Sequence, residues 1–227
     1  MPDIEWTKKT YIDYLYSLEP SDILYPSAEL YPFDQAQFPN AHIASGSLSI
    51  EQILCDGGFF IGQANASKFE VQIYNIPELS NRKIQVYQLD GDDITTRKNL
   101  FTGYVDSCKQ DESGIYRDIV AYDALQYNRD YNISTWWNQW RLTYPNATTQ
   151  DLLEALLGIF ELDYSVRDGS IEDLPNYNLQ IYTGFTLDKK RWGDLLCECL
   201  KLLCVCAHID GDGNVELVRF NPTAKTL

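Results

Sequence analysis

Only two histidines, His42 and His208, occur among the 227 residues. Neither sits beside a G-x-S-x-G elbow or a cysteine-protease signature, so the usual layouts for nucleophilic catalysis are missing. There is no glycine-rich phosphate loop. No apolar run approaches the roughly 20 residues a membrane helix needs. The N-terminus, Met-Pro-Asp-Ile-Glu-Trp, has neither the basic nor the apolar region of a signal peptide, which predicts synthesis and retention in a cytoplasm. Basic residues are scarce: 18 Lys and Arg stand against 33 Asp and Glu, a net charge of −15. Binding to nucleic acid by counterion release needs cations on the phosphates, so the charge balance argues against an ordinary nucleic-acid binder and disfavours an anionic membrane surface. The acidity reads either as a solvated, solubilising surface or as one that repels DNA passing close by.

Aromatics are what the chain has in quantity, with 16 Tyr, 9 Phe and 5 Trp. Tyr and Trp combine a large apolar body with a polar tip, which suits surfaces that become buried on assembly; they also simply fill strands. Apolar content of 44% with 22% charged residues is that of a folded globular chain.

The pattern along the chain is α+β and mainly β. Residues 1–40, rich in Tyr and Pro, show no sustained period and read as an irregular arm with a short helix near Trp6–Leu18. Strand patterns follow over HIASGSLSIEQI, FFIG, SKFEVQIYNI, RKIQVYQL and the two halves of LFTGYVDSCKQDESGIYRDIVAY. Phe69, Val71, Ile73, Val86, Val105 and Ile119 are the expected core of a barrel or sandwich spanning residues 41–123. Residues 124–227 then read as a mixed helix–strand region. Asp123 is a candidate N-cap, and Ser134 a candidate cap for a helix carrying Trp136, Trp137 and Trp140. Thr148 with Asp151 matches a capping box ahead of the stripe Leu152, Leu153, Leu156, Leu157 and Phe160. LQIYTGFTL reads as a strand. A helix from Asp188 is expected to bury Trp192, Leu195, Leu196, Cys199, Leu200 and Leu203, and CVCAHIDGDGNVELVRF to close as a hairpin.

Two clusters invite a metal reading. Cys197, Cys199, Cys204, Cys206 and His208 lie within twelve residues. Cys197 and Cys199 would stand about 200° apart on a helix, and C-x-C is not the spacing of a structural zinc site, so core cysteines explain them better. Asp210 to Glu216 (DGDGNVE) resembles a calcium loop, but Val215 falls where an EF-hand needs glycine, and a hairpin turn explains the same letters. The sequons at Asn65, Asn132 and Asn146 mean little without a secretory signal. No catalytic, cofactor-binding or metal-ligating residue is assigned, and the chain reads as a non-enzyme with no cofactor.

Several stretches, in order, resemble the tail-hub proteins of siphophages and prophages. They are GSLSIEQILCDGGFFIGQANASKFEVQIYNI, the strand–turn–strand ending in AYDAL, TWWNQW, TYPNATTQDLLEALLGIF and the closing CAHIDGDGNVELVRF. The resemblance covers roughly residues 43–220 and does not extend to the arm. It implies a virion structural protein of the tail tip or baseplate hub, with a tube-like β-barrel domain. Three copies would form a ring, in contact with distal tail, tape-measure and tail-fibre proteins, assembled in the host cytoplasm and then carried in the virion. DNA would pass through an acidic lumen without specific binding. Members run longer than this chain, so an N-terminal piece is expected. Alternatives are the assembly platform of a tail lysin whose catalytic domain lies beyond Leu227, and a carbohydrate-binding module, which would need Trp136, Trp137 and Trp140 exposed.

Overall fold

The computed structural model describes residues 8–15, 37–38, 43–44, 46–52, 61–74, 76, 78–90 and 93–219. Within Trp6–Leu18, Lys8–Leu15 is not a helix but a strand, β1. Its eight residues pair antiparallel with β5 (Lys83–Asp90), Lys8 opposite Asp90 and Leu15 opposite Lys83. The segment contains Thr, Ile and two Tyr, and pairing with a distant strand decides between helix and strand where local pattern does not. The remaining strands of this sheet are β2 (Gln37–Phe38), β3 (Ser49–Gln52), β4 (Ser67–Tyr74), β6 (Asp93–Gln110) and β7 (Tyr116–Tyr122). Their order is β2-β1-β5-β6-β7-β4-β3, a curled half-barrel of seven strands.

Strand β4 shows why the sheet has one core face. Phe69, Val71 and Ile73 alternate with Lys68, Glu70 and Gln72, and the burial follows the same alternation. All six residues expected in the core are buried, none more than 3% exposed. Parity is broken with effect on the β7 side of β6. A bulge between Val105 and Ser107 in β6 inserts one residue, so Cys108 comes opposite Ile119 and joins Val105 in the core. In an unbroken strand the two would face opposite ways. The Asp-Glu-Ser-Gly corner between β6 and β7 is closed by Asp111, whose Oδ1 accepts the backbone N–H groups of Ile115 and Tyr116 while its carbonyl accepts that of Gly114.

Two strand expectations shorten here. The described residues of HIASGSLSIEQI form a bridge from Ile43 to Ile73 and then β3, and Gly46, with φ of 76°, turns the chain between them. Of FFIG, Ile61 and Gly62 form a turn, and Phe59 and Phe60 lie outside the described residues.

The chain divides into two compact units: Met1–Glu51 with Lys68–Ala124, and Gln52–Ser67 with Leu125–Leu227. The second unit contains α2 (Ser134–Thr143), α3 (Thr149–Gly158), α4 (Trp192–Leu203) and a small sheet ordered β8-β10-β9, from Tyr164–Val166, Val215–Arg219 and Val205–Ile209. The single-turn α1 (Ala124–Tyr127) begins at the division. Residues 62–65 lie parallel to β9 on its other edge: Gly62 and Asn65 donate to the carbonyls of Val205 and Ala207, and Ala207 donates to Gln63. Strand β9 is thus central and buried along its whole length. Gly62 is required here, since its φ is 87° and a Cβ would run into Lys201 of α4.

The capping box at Thr148 and Asp151 is present, and Leu152, Leu153, Leu156 and Leu157 are buried behind it. The whole expected face of α4 is buried as well. Its first residue, Trp192, is completely buried and donates its indole N–H to the Leu156 carbonyl at 2.8 Å. That carbonyl belongs to the last turn of α3, where no intrahelical donor remains. Phe160, half-buried past the end of α3, packs edge-on against both Trp192 and Tyr131. Ser134 does not cap α2 through its side chain. Its hydroxyl instead accepts the Lys190 N–H, and the Asn132 carboxamide accepts the Ser134 N–H. LQIYTGFTL forms no regular strand; Gln180 makes a single bridge to Thr148.

Replacing Trp192 with Phe keeps most of the ring contact but strands the buried Leu156 carbonyl. A loss of about 1–3 kcal/mol is expected, read as a lowered Tm. The same change at half-buried Trp136 serves as the control and leaves Tm nearly unchanged.

Candidate assembly surface

Most reactive side chains of the second unit are engaged in holding it together. Cys199 is fully buried, donates its thiol to the Thr149 carbonyl at 3.6 Å and has its pKa pushed up to about 12 by burial. Cys197 is half-buried on α4 and Cys206 is buried in β9. Cys204 terminates α4 in a left-handed conformation, φ 56°, rather than opening the CVCAHI strand. Among the described residues no three His, Cys, Asp or Glu side chains converge as metal ligands would. The DGDGNVE stretch is a hairpin turn: Asp210 Oδ1 accepts the N–H groups of Asp212 and Asn214, each at 2.9 Å.

One polar cluster escaped the sequence reading. His208 of β9 stands opposite Glu216 of β10, and Arg167 follows β8 on the far side of β10. The Arg167 guanidinium holds Glu216 in a fork, Nε to Oε1 at 2.9 Å and Nη2 to Oε2, and His208 Nε2 lies 3.0 Å from the same Oε2. The three strands of the small sheet are therefore tied across one face. Burial holds the His208 pKa below the ordinary imidazole value; Glu216 pulls it upward, Arg167 pushes it down and Asp210 adds a smaller upward pull. With the folded pKa depressed, the unfolded chain binds more protons, so stability is present above about pH 6.5 and falls as the pH drops below it. Thermal melts between pH 7.5 and 5.5 should show Tm falling toward acid, with a shallower fall in His208→Gln. Equal slopes in the two proteins would contradict this.

The aromatics of the second unit form a continuous row. Trp137 and Trp140 of α2 lie 5.6 Å apart, and Trp136 stacks on Trp140, also at 5.6 Å. Tyr144 stacks on Trp140 at 5.4 Å. On the other side Phe185 lies 5.2 Å from Trp137 and Tyr182 stacks on Phe185 at 6.2 Å. Polar bonds fix the segment carrying Tyr182 and Phe185. The Trp137 indole donates to the Phe185 carbonyl, Asn138 exchanges two hydrogen bonds with Leu187, and the Ile181 N–H bonds to Ala147.

Burial along the row is uneven. Trp137 and Trp140 are buried and Trp136 is half-buried, so the three exposed tryptophans that a carbohydrate module would need are not there. The ends of the row are open instead: Tyr182 is 78% exposed, Tyr144 50% and Phe185 41%. This arrangement suits contact with another surface.

Two solved structures show a similar arrangement of chain. The 43 kDa tail protein of prophage MuSo2 from Shewanella oneidensis is 15% identical, with a TM-score of 0.49 over 94% of this chain and 56% of that one. A tail protein from Neisseria meningitidis MC58 is 11% identical, with a TM-score of 0.46 over 93% of this chain and 50% of that one. The chain spans about half the length of each. No protein-family model and no curated protein matches it.

Proposed function

We propose that this chain is a structural subunit of a phage or prophage tail, placed at the distal tip or baseplate hub. Three copies form a ring there, in contact with neighbouring tail proteins, and the chain is no enzyme. The observation that carries the reading is the ordered series of tail-hub-like stretches along residues 43–220. They contain defined elements, among them the β6–β7 hairpin leading into α1, the capped α3 and the β9–β10 hairpin. Supporting it, the conspicuous Cys, His and Asp groups of the second unit serve hydrogen bonds and packing, while exposed aromatics are left for contact.

In such a ring the half-barrel sheets supply the wall of a tube. Carboxylates facing inward repel phosphate and let DNA pass without holding it. A charge of −15 per copy, trebled in the ring, makes copies repel, so apolar and aromatic contact must exceed that repulsion. Native mass spectrometry and electron microscopy of intact tails containing the chain test this. Three copies per particle around an acidic inner wall are expected; six copies, or a basic inner wall, would overturn it.

A further inference from the structure

Charge is distributed unevenly around the aromatic row. Residues 131–150, which contain α2 and Tyr144, carry a single charged side chain, Arg141. Residues 174–187, which contain Tyr182 and Phe185, carry none. In a chain with 33 carboxylates this is a neutral window, and it coincides with the exposed ends of the row. Depletion of charge together with exposed aromatics is the composition of an interface core. The window is also pre-organised. The rings are stacked on one another and the backbone beneath Phe185 is bonded to Trp137, so little freedom is left to lose on binding.

Its neutrality points to the occupant. A basic partner would be met by carboxylates, whereas a partner as acidic as this chain can be buried only where carboxylates are missing. The sequence fixes one such partner, the chain itself. Resting on the tail-ring reading, we infer that the neutral face around Tyr144, Tyr182 and Phe185 is the surface by which one copy of this chain buries against the next. In a ring of three the contact is heterologous: this face on one copy meets a different surface of its neighbour, since face-to-face pairing would stop at a dimer.

Association of this kind tightens with salt, because screening relieves the repulsion between copies while the apolar contact persists. Sedimentation velocity of the purified full chain over a concentration series, at low and high salt, reads this directly. The expected result is a concentration-dependent complex whose midpoint moves to lower concentration as salt rises. In the double variant Tyr144→Asp, Tyr182→Asp, both exposed positions, the midpoint moves about tenfold or more to higher concentration. Circular dichroism and Tm stay as in the parent, and Tyr144→Phe, Tyr182→Phe restores association if a loss of fold obscures the first variant. A monomer at every concentration and salt overturns the inference, as does a complex that the aspartates leave unchanged. A photo-cross-linker at position 182 in assembled tails separates this from failure of the tail reading. Cross-links to a different tail protein overturn the self-contact and leave the tail role standing; a chain missing from tails removes the tail role, with the solution result still deciding self-association.

Discussion

The second unit is organised around one buried side chain, Trp192. Its indole satisfies the Leu156 carbonyl at the end of α3, its ring meets Phe160, and its own N–H donates to the Tyr131 carbonyl. The next residue, Gly193, donates to the Arg129 carbonyl, and a Cβ there would press on Arg129. Two consecutive residues at the start of α4 thus fix the chain entering α2 and the end of α3. With that anchor set, the long α4 face packs down and its left-handed stop at Cys204 delivers the chain into β9. Burying a side chain of this size contributes several times the worth of one hydrogen bond, but the bond fixes which end of α3 it meets.

The same economy gives the chemically conspicuous residues structural tasks. Asp210 and Asp111 close hairpins by accepting backbone N–H groups. Cys199 fills a helix contact. Glu216, Arg167 and His208 tie three short strands together. Each is a group that a motif search stops at, and each has a structural task that accounts for its type and position. The outer part of the aromatic row is stacked on its neighbours yet largely exposed, and the proposed function rests on that exposed surface together with the motif series.

Features held by local pattern were legible. The capping box at Thr148, the Leu152–Leu157 stripe, the alternation of Phe69, Val71 and Ile73 and the β9–β10 hairpin can all be read from spacings of two, three or four residues. Features held by distant pairing were not. The segment KKTYIDYL becomes β1 only by meeting β5 some seventy residues on, and residues 62–65 acquire their place only beside β9. LQIYTGFTL carries β-type residues but its polar bonds go to Trp137 and Asn138 of α2 and to Ala147, so it forms no strand. The His208–Glu216 pairing was within reach: once the hairpin turn is centred on Asp212, those two positions must face each other. Arg167 was not, because the strand it follows, β8, joins the sheet in parallel from far along the chain.

The central claim is that the chain works by presenting an aromatic, neutral face to its neighbour in a tail. A cryo-electron microscopy reconstruction of the tail containing it, with side chains resolved, tests that most directly. The account predicts the rings of Tyr144, Tyr182 and Phe185 buried against an adjacent copy around a three-fold axis. Those rings facing open solvent in the assembled tail would contradict it.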